Sequence, residues 1–454
     1  MTKTQILILF VLTPALSLAQ RNPDLELEAS LDQGPPKIAV PDLRGAVDPD
    51  AQQTFNTTLW NDLEAAGALE MISKSFYPRA APQRPEDMQF DIERLPENPG
   101  DQGLFAQGWS QPPVATLYLV AGKLEAANDR FVVNGWLLDV TQQTSADAYQ
   151  FGKRYYGDMD ESGARQVAHD FSRDILQNLG LGAGLAGTKV YFVSDRSGAK
   201  EIYSMDYDGA NLRQLTNFKN LTINPSISPD GSRLAYTTFV EGTPKIYIQS
   251  METGRRLTFY NQTASLNTTP SFTTAGSSIY YASSITGHTQ IYRSDLDGKN
   301  LSRISYSRSI AVDPNVNPKT GAQIAYVDDR SGLPQVYLMD SDGSNVNRLS
   351  LGGGQAEQPA WDPQGENVAF AWTRGFEPGN YNIFVVNVAT QNLVQLTHGA
   401  GRNESPSFSP SGTHIVFSSD RSGGSQLWTM RADGTQLRKL TTRGRNQSPV
   451  WGVR

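Results

Sequence analysis

The sequence predicts an α/β N-terminal domain followed by an all-β six-bladed β-propeller closed by the C-terminal strand, and three observations carry that prediction. Six copies of one segment recur with prolines at Pro225, Pro270, Pro314, Pro359, Pro406 and Pro449, in steps of 45, 44, 45, 47 and 43 residues, a period that suits a four-stranded blade. The first copy lacks a Pro-Ser inner strand in front of it, whereas the last ends in Ser448-Pro-Val-Trp451 with no blade to follow. The tail is therefore expected to complete the first blade and leave no open edge there. Residues before about Gly184 show no repeat and alternate helical with strand-like patterns.

Composition bounds the rest. A chain of 454 residues is too long for one ordinary core, and a net charge of −7 argues against nucleic acid or an anionic membrane as partner, since both ask for a basic surface. With no cysteine, disulfides, thiolate nucleophiles and thiolate metal sites are excluded. Lys3, the apolar run Ile6 to Leu12 and Ser17-Leu18-Ala19 have the form of a signal peptide cut after Ala19, and the apolar run is too short to span a bilayer comfortably. The expected organisation is a signal peptide over 1–19, an α/β domain over 20–184 and the propeller over 185–454, exported to an extracytoplasmic compartment with no membrane span.

In the α/β domain, Lys37 to Val40 reads as a strand. Asp48 or Asp50 then caps a helix with Phe55, Leu59 and Leu63 one turn apart, and Gly67 stops it. Residues 79 to 111 form a proline-rich excursion with a short helix near Gly103 to Trp109. Val114 to Gly122 and Phe131 to Val140 pair antiparallel through Asn128-Asp129. A last amphipathic helix runs from Ser162 to Leu179, with Ala164, Val167, Ala168, Phe171 and Ile175 on one face. The GxGxxG at Gly182, Gly184 and Gly187 follows a helix and precedes a strand. A dinucleotide site needs the reverse order, so the segment reads as a linker that permits relative motion unless an apolar interface fixes the two units.

Each repeat specifies four strands. In the first, Val190 to Val193 is a strand, Asp195-Arg-Ser-Gly198 a turn, Ile202 to Met205 a strand, Asp206-Tyr-Asp-Gly209 a second turn and Leu212 to Thr216 an outer strand. Copies of the first turn at Asp329 and Asp420, and of the second at Asp295, Asp340 and Asp433, make a structural role for these turns likelier than a catalytic one.

In a propeller the innermost strands line a channel, and the residues just before them ring its mouth. Here those positions hold Leu221 and Asn224, Thr268 and Thr269, Val312 and Asp313, Glu357 and Gln358, Glu404 and Ser405, and Gln447 and Ser448, a polar ring with three carboxylates. Short hydrogen-bonding side chains in such a ring suit the backbone of a protein loop; the alternative is that they are turn residues paired to backbone amides.

Catalytic readings are weaker. A propeller-capped peptidase needs a hydrolase domain with GxSxG, which the chain lacks. A glycoside hydrolase needs two carboxylates across a cleft, for which Asp313, Glu357 and Glu404 are candidates. Ser228-Pro-Asp-Gly231 resembles a sialidase Asp box, but its Asp and Gly are adjacent and it precedes the second strand, so it reads as a turn. His169, His288, His398 and His414 show no metal-ligand spacing, and the Asp-x-Asp-Gly turns lack the flanking ligands of a calcium loop. No catalytic residue, metal or cofactor is expected.

Signal peptide, α/β domain and six copies of segments like Pro225-Ser-Ile-Ser-Pro-Asp-Gly231, Ile202-Tyr203 and Leu215-Thr216 resemble the TolB family of the Tol–Pal system over essentially the whole mature chain. The resemblance implies a periplasmic, non-enzymatic, monomeric adaptor. Its propeller would dock the lipoprotein Pal and further outer-membrane lipoproteins, and its N-terminal segment would dock TolA, in support of outer-membrane integrity and constriction at division. Carried over, the Pal surface is Leu221, Asn224, Thr268, Thr269, Asp313, Glu357, Gln358, Glu404, Ser405 and Ser448. The TolA segment is Leu25, Glu26, Leu27, Glu28 and Ala29, whose alternation has the period of a strand able to add to a sheet edge.

Overall fold

The computed structural model of the chain describes residues 34–90, 98–260, 262–374 and 379–453. Before Gly180 one six-stranded sheet carries two long helices. Strand Lys37–Ala39 lies between Glu70–Met71 and Tyr118–Ala127, parallel to both. The hairpin Tyr118–Ala127 and Arg130–Asp139 turns through Asn128 and Asp129, both left-handed at φ 52° and 55°, as such a tight turn demands. Strands Arg44–Ala46 and Tyr149–Asp158 complete the sheet. The sequence pattern gives no sign of Tyr149–Asp158, because at this sheet edge only Tyr155 and Gly157 are buried and the period-two signal disappears.

Helix Pro49–Ala66 is capped by the Asp48 carboxylate, which accepts from the Asp50 and Ala51 amides, and it ends at left-handed Gly67. Its Phe55, Leu59 and Leu63 pack with Val167, Phe171 and Ile175 of helix Glu161–Asn178 against Val120, Leu124 and Val133 of the sheet. The proline-rich excursion covers the other face, its short helix Gln107–Ser110 burying Trp109 against Leu119 and Leu138.

From Lys189 onward six four-stranded antiparallel sheets follow one another around a ring. Blade one consists of Lys189–Ser194, Glu201–Asp206 and Arg213–Gln214, with Asn446–Gly452 as its innermost strand. Trp451 stands directly opposite Val190, and its indole N–H donates to Thr188 Oγ1 at 2.9 Å. The last strand thus closes the wheel. Blades two to six begin at Thr222, Asn267, Ala311, Ala356 and Asn403, and apolar side chains of adjacent blades interleave, as with Tyr280 and Ile291 of blade three against Tyr326 and Met339 of blade four.

The repeated Asp-Arg-Ser-Gly turns are structural. Gly198, Gly332 and Gly423 sit at φ 95–97°, where a side chain would be strained. Arg196, Arg330 and Arg421 lie over the rings of Tyr203, Tyr337 and Trp428 at 5.0–5.1 Å. Each Asp carboxylate accepts a backbone N–H just ahead of an inner strand, from Arg445, Ile310 and Arg402, at 2.7 Å.

The sheet domain touches the propeller at blades one and six. Tyr207 reaches across to donate to Asp62 Oδ1 at 2.6 Å, Arg165 pairs with Asp208 at 2.8 Å, and Ala65 packs beside Leu185 and Trp451. The Gly180–Gly187 linker, with four left-handed glycines, is spanned by these contacts.

Candidate functional site

The channel mouth is built by one local device used six times. Every inner strand begins in register with its neighbour, slips, and resumes; the slip falls between Ile223 and Ser226, Thr268 and Ser271, Val312 and Asn315, Glu357 and Ala360, Glu404 and Ser407, and Gln447 and Val450. The skipped pair is in each case the proline and the residue before it. Proline has no N–H to give a ladder, so a bulge is where a strand tolerates it. The preceding residue takes the strain: Asn224, Thr269, Asp313, Gln358, Ser405 and Ser448 all have φ between 48° and 59°. Six non-glycine residues held left-handed at equivalent positions are a costly arrangement, and such strain gathers at binding sites.

These six residues, with their prolines, line the throat, a cavity of about 180 Å³. Part of the ring is internally satisfied. Asn224 Nδ2 donates to Thr268 Oγ1 at 3.1 Å, the Asp313 amide donates to Thr269 Oγ1 at 3.2 Å, and the Ser405 amide donates to Gln358 Oε1 at 2.8 Å. Thr268, Thr269 and Gln358 therefore splice neighbouring blades. Among the described residues no hydrogen-bond partner reaches the side chains of Asp313, Ser405 or Ser448. Glu404 is paired with Arg402 at 2.7 Å. Burial in the throat and, second, the Glu357 charge push the Asp313 carboxyl up to about 6.

Leu221 stands apart from the ring. The residue equivalent to Thr268 in blade two is Ile223, and Leu221 lies two positions earlier, on the outer rim, where its carbonyl accepts from Phe239 N. The residues Leu25 to Ala29 lie outside the described residues.

Two features where the units meet carry little signal in the sequence pattern, one buried and one open. His169 Nδ1 is 2.8 Å from Asp62 Oδ2, with Ser172 Oγ at 2.7 Å on the same oxygen and Tyr207 on the other. Burial pushes the His169 imidazole down, but the adjoining Asp62 carboxylate and the Asp208 and Asp206 charges outweigh it, so the net movement is upward. The only sign in the sequence was polar residues on the inner faces of two amphipathic helices. The second feature is a cavity of about 410 Å³ between the two units, lined by Asn61, Glu64, Leu185, His414, Arg438 and Trp451. Among the described residues no group of three or more His, Asp or Glu could hold a metal ion, and no helix is long and apolar enough to cross a membrane.

Fold and mouth together define a six-bladed β-propeller protein with an N-terminal α/β domain and a strained polar crown at one end of its channel. The family model described as "TolB beta propeller domain" matches residues 177–375 and 353–454. The chain belongs to the TolB family. A "Protein TolB homolog" from Chlorobium chlorochromatii (strain CaD3) is 38% identical over 138 residues, 30% of each chain. The "Tol-Pal system protein TolB" of Bordetella pertussis is 35% identical over 202 residues, 44% of this chain and 45% of the relative. These matches span less than half the length of either relative. The crystal structure of TolB from Acinetobacter baumannii has the same fold, with a TM-score of 0.71 at 24% identity over 92% of this chain and 96% of that one.

Proposed function

We propose that the protein is a non-enzymatic adaptor of the Tol–Pal system, acting in the periplasm after removal of residues 1–19. The propeller, over residues 185–454, docks the lipoprotein Pal at its mouth. The N-terminal segment of the 20–184 unit docks TolA through Leu25 to Ala29. Together they support outer-membrane integrity and constriction at division. Family membership and the relatives named for the Tol–Pal system support the system. The observation that carries the docking reading is the ring of six strained X-Pro bulges, with the side chains of Asp313, Ser405 and Ser448 left for a partner's groups.

The competing reading is a glycoside hydrolase, favoured by one fact: Asp313 is a carboxyl pushed up to about 6 beside Glu357. Against it, the throat of about 180 Å³ is below the several hundred that a small-molecule site requires. Glu404, the third carboxylate, is already neutralised by Arg402. The test is calorimetric titration of the mature chain with the soluble domain of Pal, repeated with Thr269→Arg and Ser405→Arg. An adaptor binds, and both variants lose binding at least tenfold. No binding by the unaltered chain, together with cleavage of an oligosaccharide, gives the site to the enzyme.

A further inference from the structure

Outside the strained crown runs a second ring, four residues ahead of each inner-strand proline: Leu221, Leu266, Ile310, Gln355, Arg402 and Arg445. Their equivalence is physical as well as arithmetic. In every blade the carbonyl of this residue accepts the N–H of the residue that opens the neighbouring hairpin turn, namely Phe239, Ser284, Asp329, Thr373, Asp420 and Asp195, at 2.9–3.3 Å. The backbone of the ring is therefore pinned, while its side chains are free to differ. They change character around the wheel. Blades two to four carry Leu, Leu and Ile; blade five carries Gln; blades six and one carry Arg.

Flanking residues on the same face deepen the division. On the apolar side, Tyr306, Leu333 and Leu351 are exposed large hydrophobics, Tyr306 at 72% and Leu351 at 61%. On the other side stand exposed Arg443 and Lys219 and half-buried Lys200. Arg402 is paired with Glu404, but among the described residues no carboxylate lies within ion-pairing distance of Arg443 or Arg445. Exposed Arg308, beside Ile310, and Arg374, on the Leu351 carbonyl, also stand on this face, so the cations are denser at blades six and one rather than confined there; in a chain of net charge −7 that cluster is a local inversion of the protein's overall sign. An exposed apolar arc beside them is the composition of an interface with a hydrophobic part and a charged rim.

We propose that this outer ring fixes the azimuth of the docked partner. The partner is a folded protein whose contact face is apolar where it meets blades two to four and acidic where it meets blades six and one. This rests on the docking reading of the mouth: the inner crown receives a loop, and the outer ring sets the rotation in which that loop arrives. Charge complementarity argues for the acidic half, because cations without partners gain most from a partner's carboxylates and steer the encounter.

The experiment titrates the mature chain with the soluble domain of Pal at 50 and 500 mM NaCl. Arg445→Glu and Arg443→Glu are each expected to weaken binding about tenfold at 50 mM and much less at 500 mM, as screening of exposed charges demands. Arg445→Lys retains the affinity. Ile310→Ser weakens binding to the same extent at both salt concentrations. Circular dichroism checks that each variant is folded, and the exposed Arg443 supplies the charge test should Arg445→Glu disturb its turn. If the unaltered chain binds Pal but the two Glu variants bind equally well at 50 mM, the division of the rim is refuted and the docking reading stands. If the unaltered chain binds no Pal, the docking reading falls and takes this inference with it.

Discussion

Tyr207→Phe removes one oxygen atom from the contact between the two units and leaves the ring packing in place. That hydroxyl donates to Asp62 Oδ1 at 2.6 Å, and Asp62 is fully buried, receiving His169 and Ser172 on its other oxygen. Burial, then the Asp62 charge and the hydrogen bond to it, raise the Tyr207 phenol well above its ordinary value, so it is a proton donor throughout the accessible pH range. In the variant, Oδ1 is left in a dry site without a donor. A hydrogen bond to a charged group contributes about 1.5–3 kcal/mol, and a stranded buried acceptor costs at the upper end of that range. Stability should therefore fall by about 2–3 kcal/mol in urea unfolding followed by circular dichroism. The 180–187 linker should become more readily cleaved as Ala65 and Arg165 lose their register against the propeller. Tyr247→Phe is the control, since its hydroxyl meets the exposed Glu241 and its loss should cost less than about 0.5 kcal/mol. If Tyr207→Phe unfolds within about 0.5 kcal/mol of the unaltered chain, the polar node does not hold the two units together and the reasoning fails.

Three further outcomes follow from the same physics. His414 is held down at about 4 by burial and then by Arg431, below the 6.5 of an unfolded histidine, so its contribution is present above pH 6.5 and is lost as pH falls toward 4. Between pH 7 and pH 5 the unaltered chain should lose about 2 kcal/mol more stability than His414→Phe does, measured as paired urea titrations. Asp313 has the opposite sense: its carboxyl is raised to about 6, so the folded state is penalised as pH rises through 4 to 6. Asp313→Asn should gain about 1–3 kcal/mol at pH 7, with the gain vanishing below pH 4, while binding Pal less well. Trp451→Ala removes the side chain that packs with Val190 and Phe192 and bonds Thr188, and should lower stability by about 3–5 kcal/mol; an unchanged midpoint would show that blade one does not depend on the tail.

Much of the molecule was legible because repetition is legible. Six prolines at a near-constant interval announce six equal sheets, and a missing inner strand at the start with a spare one at the end announces closure. Trp451 opposite Val190 is where that argument puts it. The helix cap at Asp48 and the stop at Gly67 follow from side-chain chemistry within one turn of the chain. The edge strand Tyr149–Asp158 was not legible, since exposed Lys153 interrupts the face of Phe151, Tyr155 and Gly157 while aromatic Tyr156 stands on the solvated face, and the alternation expected of a half-buried strand is lost. In the candidate site, the residues before each proline were identifiable by position. Their left-handed backbone was not, because only the pairing of inner strand with second strand shows that the X-Pro step is skipped in every blade.

The sequence by itself determined the number of blades, the order of the two units and the position just before each proline that lines the throat, because local hydrogen-bonding and turn chemistry repeat with the chain. Only the tertiary structure decided that Asp62, His169 and Tyr207 meet in one buried node, although Asp62 lies 107 and 145 residues from the other two. It alone decided, too, that positions four residues ahead of the prolines form one ring, apolar on one side and cationic on the other. Which side chains share a desolvated pocket or one exposed arc is set by closure of the wheel and by packing between units, and neither leaves a periodic trace in the chain.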